Sequence, residues 1–94
     1  MLRIAHISLD EKFIDCAINQ FNSLQNTHST FCVKADGYTL SHIKNSSVKI
    51  FTHETDLIDF INNNNFKFVI LHSLCISPYY LLKLTPQILW CSWG

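Results

Sequence analysis

The segment that most limits how this chain can fold is Phe66 to Leu71, FKFVIL. It is apolar almost throughout and lacks the strict alternation of a strand with one wet face. Such a run fits a central strand of a parallel sheet buried on both faces. Parallel neighbours cannot be joined by hairpins and need crossover connections, so helical segments must stand between the strands. The rest of the chain supplies that alternation.

Leu2 to Ile7 (LRIAHI) reads as the first strand. Ser8-Leu9-Asp10-Glu11 has the form of a capping box, with Ser8 as N-cap and Glu11 three residues on. Phe13, Ile14, Ala17, Ile18, Phe21 and Leu24 then recur at helical spacing to about residue 24. Asn22 to Ser29 is polar and turn-like, and Thr30 to Val33 (TFCV) is a second strand. Tyr38 to Lys44 fits either a short helix or an irregular crossover. Val48 to Phe51 (VKIF) is a third strand. A helix opening at Thr52 or Glu54 buries Leu57, Ile58 and Ile61, and the asparagines at 62–65 end it, because asparagine tolerates left-handed backbone. After the fourth strand, Ser77-Pro78 supplies an N-cap and first helical position for a helix over Tyr79 to Leu84. Gln87 to Cys91 (QILWC) is the fifth strand, with Trp90 expected in the core.

Strand alternates with helix, without internal repeat or linker, across the 94 residues. The expectation is one α/β domain: a Rossmann-like three-layer sandwich with a parallel sheet of about five strands in the order 3-2-1-4-5. Hydrophobic residues make up 48% of the chain against 15% charged. That supply suits a sheet covered on both faces, with apolar surface left over for docking or dimerisation.

Charge and cysteine usage narrow the function classes. Lys plus Arg and Asp plus Glu are seven each, so no basic stripe marks a nucleic-acid partner. Cys16, Cys32, Cys75 and Cys91 are far apart, form no CxxC pair and sit in apolar segments. They read as reduced, buried thiols, not as a zinc site or disulfide framework. The amino terminus lacks a signal-peptide layout, and the uncharged run 68–82 is too short and polar to span a bilayer. A cytoplasmic protein is expected.

In open α/β sheets, ligands bind beyond the carboxyl ends of the strands. A dinucleotide or P-loop site needs glycines after the first strand, yet the only glycines are Gly37 and Gly94. Asp10 and Glu11 would also repel phosphate from the start of the first helix. A phospho-accepting receiver domain fits poorly: its acidic pair could be Asp10-Glu11, but strand three ends in Phe51-Thr52-His53 and no lysine follows Trp90.

The opening RIAHISLDEKFID, the central FVILHSL and the terminal ILWCSWG resemble the amino-terminal region of bacterial TDP-N-acetylfucosamine:lipid II N-acetylfucosaminyltransferases, also called 4-alpha-L-fucosyltransferases. The W-x-x-W-G after the fifth strand is the most specific element. The resemblance implies the amino-terminal, acceptor-side domain of a two-domain, metal-independent GT-B glycosyltransferase. It also implies transfer of an acetamido-dideoxyhexose from a nucleotide-sugar (a TDP-sugar) to a lipid-linked saccharide, with peripheral association at the cytoplasmic membrane face. Only the first part of such an enzyme is covered, so this chain alone is expected to be inactive and to need no cofactor or metal. The alternative from another class is a standalone flavodoxin-like binding module without catalysis.

Six residues are candidates. His6 could orient a sugar hydroxyl or shuttle a proton, but hydrogen bonding inside the sheet is favoured. Asp10 and Glu11 could supply a base for an acceptor hydroxyl, with helix capping the favoured role. His72, after strand four, is evenly divided between substrate contact and structural hydrogen bonding. Trp93 could stack on a sugar or pack against a following element, and Gly94 stands beside it. Tyr79 and Tyr80 with Leu81 and Leu82 could make an apolar rim facing lipid or a partner, with helix-to-sheet packing the favoured role. His28, His42 and His53 share no metal-like spacing and read as exposed or locally bonded.

Overall fold

The computed structural model describes residues 1–91. Eight elements follow one another: β1 (Leu2–Ser8), α1 (Ile14–Asn22), β2 (Thr27–Lys34), β3 (Lys49–Phe51), α2 (Glu54–Asn62), β4 (Phe68–Leu71), α3 (Pro78–Leu81) and β5 (Gln87–Trp90). The strands form one sheet in the order β3-β2-β1-β4-β5, and every pairing is parallel. The fold is therefore the expected Rossmann-like α/β arrangement.

The pleat divides β1 between two cores. Ala5 and Ile7 face α2 and α3, joining Cys32, Val69, Leu71 and the buried side of α2 (Leu57, Ile58, Ile61). On the opposite face Phe31 and Val33 pack under Ile14, Ala17 and Ile18 of α1, with Ile43 closing the edge. Their burial follows from the spacing of apolar residues, which puts one stripe of each helix against the sheet.

Several local expectations give way to tertiary demands. Ser8 is not an N-cap: it pairs with Val33 as the last rung of β1, and α1 starts at Ile14 without a side-chain cap bond. Leu9 to Phe13 is a connection, so the capping box does not form. Helix α1 stops at Asn22, leaving Leu24 exposed. Strand β2 begins at Thr27, earlier than its polar sequence suggests, because pairing with β1 satisfies the backbone whatever the side chains are. The turn before it places Asn26 at φ 60, and Asn65, after α2, takes φ 58. Asparagine carries this left-handed geometry at lower cost than most residues.

The passage from β2 to β3 has no helix; residues 35–48 are irregular. Carboxylates take over the role a helix would play for its backbone N–H groups. Asp10 accepts from the N–H groups of Ser41 (2.5 Å), His42 (3.0 Å) and Ile43 (2.9 Å). Asp15 accepts from those of Lys44 (2.8 Å) and Asn45 (3.0 Å).

Helix α3 is shorter than its sequence suggests and relaxes into tight turns, in which Lys83 N–H donates to Tyr80 and Leu84 N–H to Leu81. Ser77 occupies the N-cap position, but its hydroxyl bonds the Glu54 carboxylate (3.4 Å) and not the helix. Tyr80 and Leu81 pack on the α2-side core, as expected, whereas Tyr79 points outward and is 63% exposed. Trp90 is not a core residue: it is 61% exposed, because among the described residues β5 stands at the edge of the sheet and pairs only with β4. Strand β4 is buried unevenly, with Val69 and Leu71 enclosed and Phe68 and Ile70 half-buried. Of the thiols only Cys32 is fully buried; Cys75 and Cys91 are half-buried, Cys16 is exposed, and all four are free.

Candidate functional site

The order of the strands reverses between β1 and β4, the place where a crevice opens in sheets of this type. Here the two loops that border it are tied together. Leu9 N–H donates to Ser73 Oγ (3.4 Å), and the Ser73 hydroxyl donates to the Glu11 carboxylate. Glu11 thus clasps the loop after β4 instead of capping α1. The open space is displaced toward β2, as a cleft of about 390 Å³ lined by Leu9, Asp10, Lys34, Asp36, Gly37, Thr39 and Cys75.

Asp10 borders this cleft with both oxygens engaged by the 41–43 backbone. Burial pushes its pKa up, but the N–H groups of Ile43, Ser41 and His42 outweigh that and hold it below the ordinary value. A carboxylate so occupied is a tether and a poor general base. Cys75 is also unreactive in kind: burial raises its thiol to about 11, so it stays protonated near neutrality.

His6 and His72 come together under α1. His6 Nδ1 lies 2.8 Å from His72 Nε2, and His6 Nε2 lies 2.9 Å from Ser29 Oγ. His6 is fully buried and His72 nearly so. Phe31 stacks on the His6 ring at 4.0 Å, and Phe21 meets it edge-on at 4.5 Å. Desolvation, with the neighbouring His72 charge, drives His6 down to about 3; desolvation drives His72 down to about 4. Both imidazoles are neutral at pH 7, and each then has one N–H to give and one lone pair to receive.

Of the six sequence candidates, His6 and His72 are joined, while Asp10 and Glu11 hold loops. Trp93 and Gly94 lie outside the described residues. Ser29 was not singled out by sequence: a lone serine in a polar stretch carries no signal until register places it on the His6 side of β2. Ser8 Oγ, at the carboxyl end of β1, is buried and has no hydrogen-bond partner among the described residues. Among the described residues no group of three or more His, Cys, Asp or Glu is placed to hold a metal ion, and no helix is long and apolar enough to cross a membrane. No protein-family model, curated protein or solved structure gives a significant match to this chain.

Proposed function

We propose that this chain is the acceptor-side domain of a GT-B-type glycosyltransferase. In this reading the transferase moves an acetamido-dideoxyhexose from a TDP-sugar to a lipid-linked saccharide at the cytoplasmic face of the membrane, in bacterial surface polysaccharide synthesis. The chain's own part is to hold the saccharide acceptor. The observation that carries this reading is the cleft beyond the carboxyl ends of β1 and β2, where Lys34, Asp36 and Thr39 offer donors and acceptors suited to sugar hydroxyls. The acids before α1, and the lack of glycine there, disfavour phosphate at the same edge. Support also comes from the parallel order β3-β2-β1-β4-β5, which such domains share, and from the resemblance of the three motifs. The engagement of Asp10 and Glu11 by loops is consistent with a binding role without bond cleavage.

A second reading, a flavodoxin-like interaction module, rests on exposed apolar side chains: Leu82 at 87%, Leu74 at 72% and Trp90 at 61%. Such groups suit self-association or a protein partner.

Titration of the isotope-labelled chain with an N-acetylhexosamine disaccharide, and separately with TDP, tests the proposal. The disaccharide is expected to shift backbone amides over residues 34–39, and TDP to leave them in place. Shifts with TDP alone, or no response to the disaccharide, would overturn the acceptor-side assignment. Concentration-dependent sedimentation without saccharide binding would favour the interaction module.

A further inference from the structure

The missing helix between β2 and β3 has a consequence at the other end of the sheet. The amino-terminal halves of these strands are left open on the α1 side, as a cavity of about 440 Å³. Ile18 and Phe31 give it an apolar wall, while Asn22, Thr27, Ser29 and Ser47 give it polar groups. Ser29 is half-buried there, and behind its hydroxyl a line of bonds runs inward. Ser29 Oγ is 2.9 Å from His6 Nε2, and His6 Nδ1 is 2.8 Å from His72 Nε2. The His6 ring is held by Phe31 and Phe21, so its orientation is fixed. A serine lining a cavity, an imidazole in hydrogen-bond reach of its hydroxyl, and a third group orienting that imidazole together match the geometry of a nucleophile, its base and a positioning group.

We propose that Ser29 is a nucleophile that takes an acyl group from a small activated ester, with His6 as general base and His72 as the positioning residue. In the productive tautomer His6 Nδ1–H donates to the His72 Nε2 lone pair, which leaves the His6 Nε2 lone pair for the Ser29 O–H. The Oγ–carbon bond forms as the serine proton passes to His6 Nε2 and the carbonyl π pair moves onto oxygen. Collapse of the tetrahedral intermediate breaks the ester C–O bond, and the departing alkoxide takes the proton back from His6 Nε2–H. The products are O-acyl-Ser29 and a free alcohol, with no change of oxidation state. Ile18 and Phe31 suit a short acyl chain, and the polar wall suits the ester oxygens. Burial keeps His6 unprotonated near neutrality but makes it a weak base. The expected behaviour is stoichiometric acylation with slow release, so labelling and not turnover is the readout.

The whole chain, treated near pH 7 with p-nitrophenyl acetate and separately with a fluorophosphonate probe, provides the test. One equivalent of acetyl or phosphonyl group is expected, located on Ser29 by peptide mass spectrometry and absent from Ser29→Ala. His72→Gln, whose amide oxygen can accept from His6 Nδ1–H, should react within about tenfold of the parent. His72→Phe should react at least about 100-fold more slowly while its circular dichroism spectrum is retained. An unmodified Ser29 in the parent chain, labelling that survives Ser29→Ala, or equal rates for the two His72 variants would overturn the assignment; the first two need no variant with a disturbed core.

Discussion

On the side of the sheet facing α2 and α3, ten buried residues among those described close into one apolar cluster running from Ala5 to Ile76. On the side facing α1 the cluster has six, and the same strands carry buried His6 and half-buried Ser29 into that layer, with His72 beside them. The difference traces to the connections. Helices α2 and α3 both cross the first face, but the second is crossed by α1 and by the irregular segment 35–48. Where a helix is missing, apolar stripes cannot cover the sheet, so the interior there must accept polar groups, and these survive only by pairing. One face is a continuous apolar core, and the other carries the paired polar groups.

The largest expected effect contrasts isoleucines on the two faces. Ile61 of α2 is fully enclosed, whereas Ile18 of α1, although 1% exposed, lines the cavity next to Ser29. Ile61→Ala leaves a sealed void and should lose stability toward the upper end of about 2–5 kcal/mol. Ile18→Ala enlarges space already open to water, so the cavity penalty falls away and the loss should lie near the lower end of about 2–5 kcal/mol. Urea denaturation of the two variants measures both, and equal losses would break the distinction between the faces.

A smaller effect comes from the imidazole pair. In the unfolded chain a histidine takes up its proton near pH 6.5, about the ordinary value. In the folded chain protonation waits until about 4 for His72 and about 3 for His6. Between these limits the unfolded state binds more protons, so the pair's contribution is intact above pH 6.5 and is lost as the pH falls. At pH 5 the loss should be about 2 kcal/mol for each imidazole. Denaturant midpoints measured from pH 7.5 to 4.5 should fall accordingly, and His72→Gln should remove part of the slope. A flat profile would mean that the pair is solvated and the α1 face is not closed over it.

The backbone plan was legible because it rests on periodicity. FKFVIL, the stripe Leu57-Ile58-Ile61 and the alternation of strands with crossovers led to the observed order of strands. Site chemistry was legible only in part. His6 and His72 are separated by 66 positions, and nothing local says that their rings meet. Ser29 depended on the register of β2, and its polar neighbours made that strand look like a turn. The capping box at Ser8 was a sound local pattern that lost to sheet pairing, since a strand rung satisfied the same backbone. Trp90 failed as a core residue because hydrophobicity alone cannot tell an edge strand from a central one.

The smallest effect sharpens how the α1 face manages without a second helix. Asp10 accepts three N–H groups of the crossover, of which those of Ser41 and His42 are exposed and that of Ile43 is partly buried. In Asp10→Ala, water can replace the carboxylate at the two exposed donors, and only Ile43 is left poorly served, so the global loss should be roughly 1 kcal/mol. Asp10→Asn keeps one acceptor oxygen and should lose less. Because the folded carboxyl sits below its usual range, with the backbone N–H groups outweighing the effect of burial, its contribution is present above the unfolded carboxyl's pKa and fades as the pH drops further. Amide hydrogen exchange reads the local event: in Asp10→Ala, Ser41, His42 and Ile43 should exchange faster, while Leu57 and Ile61 of α2 keep their protection. That pattern follows if the crossover opens as its own unit. If protection at Leu57 and Ile61 falls in step with that at Ile43, the loop and the α2-side core open together, and the two faces of the sheet form a single cooperative unit.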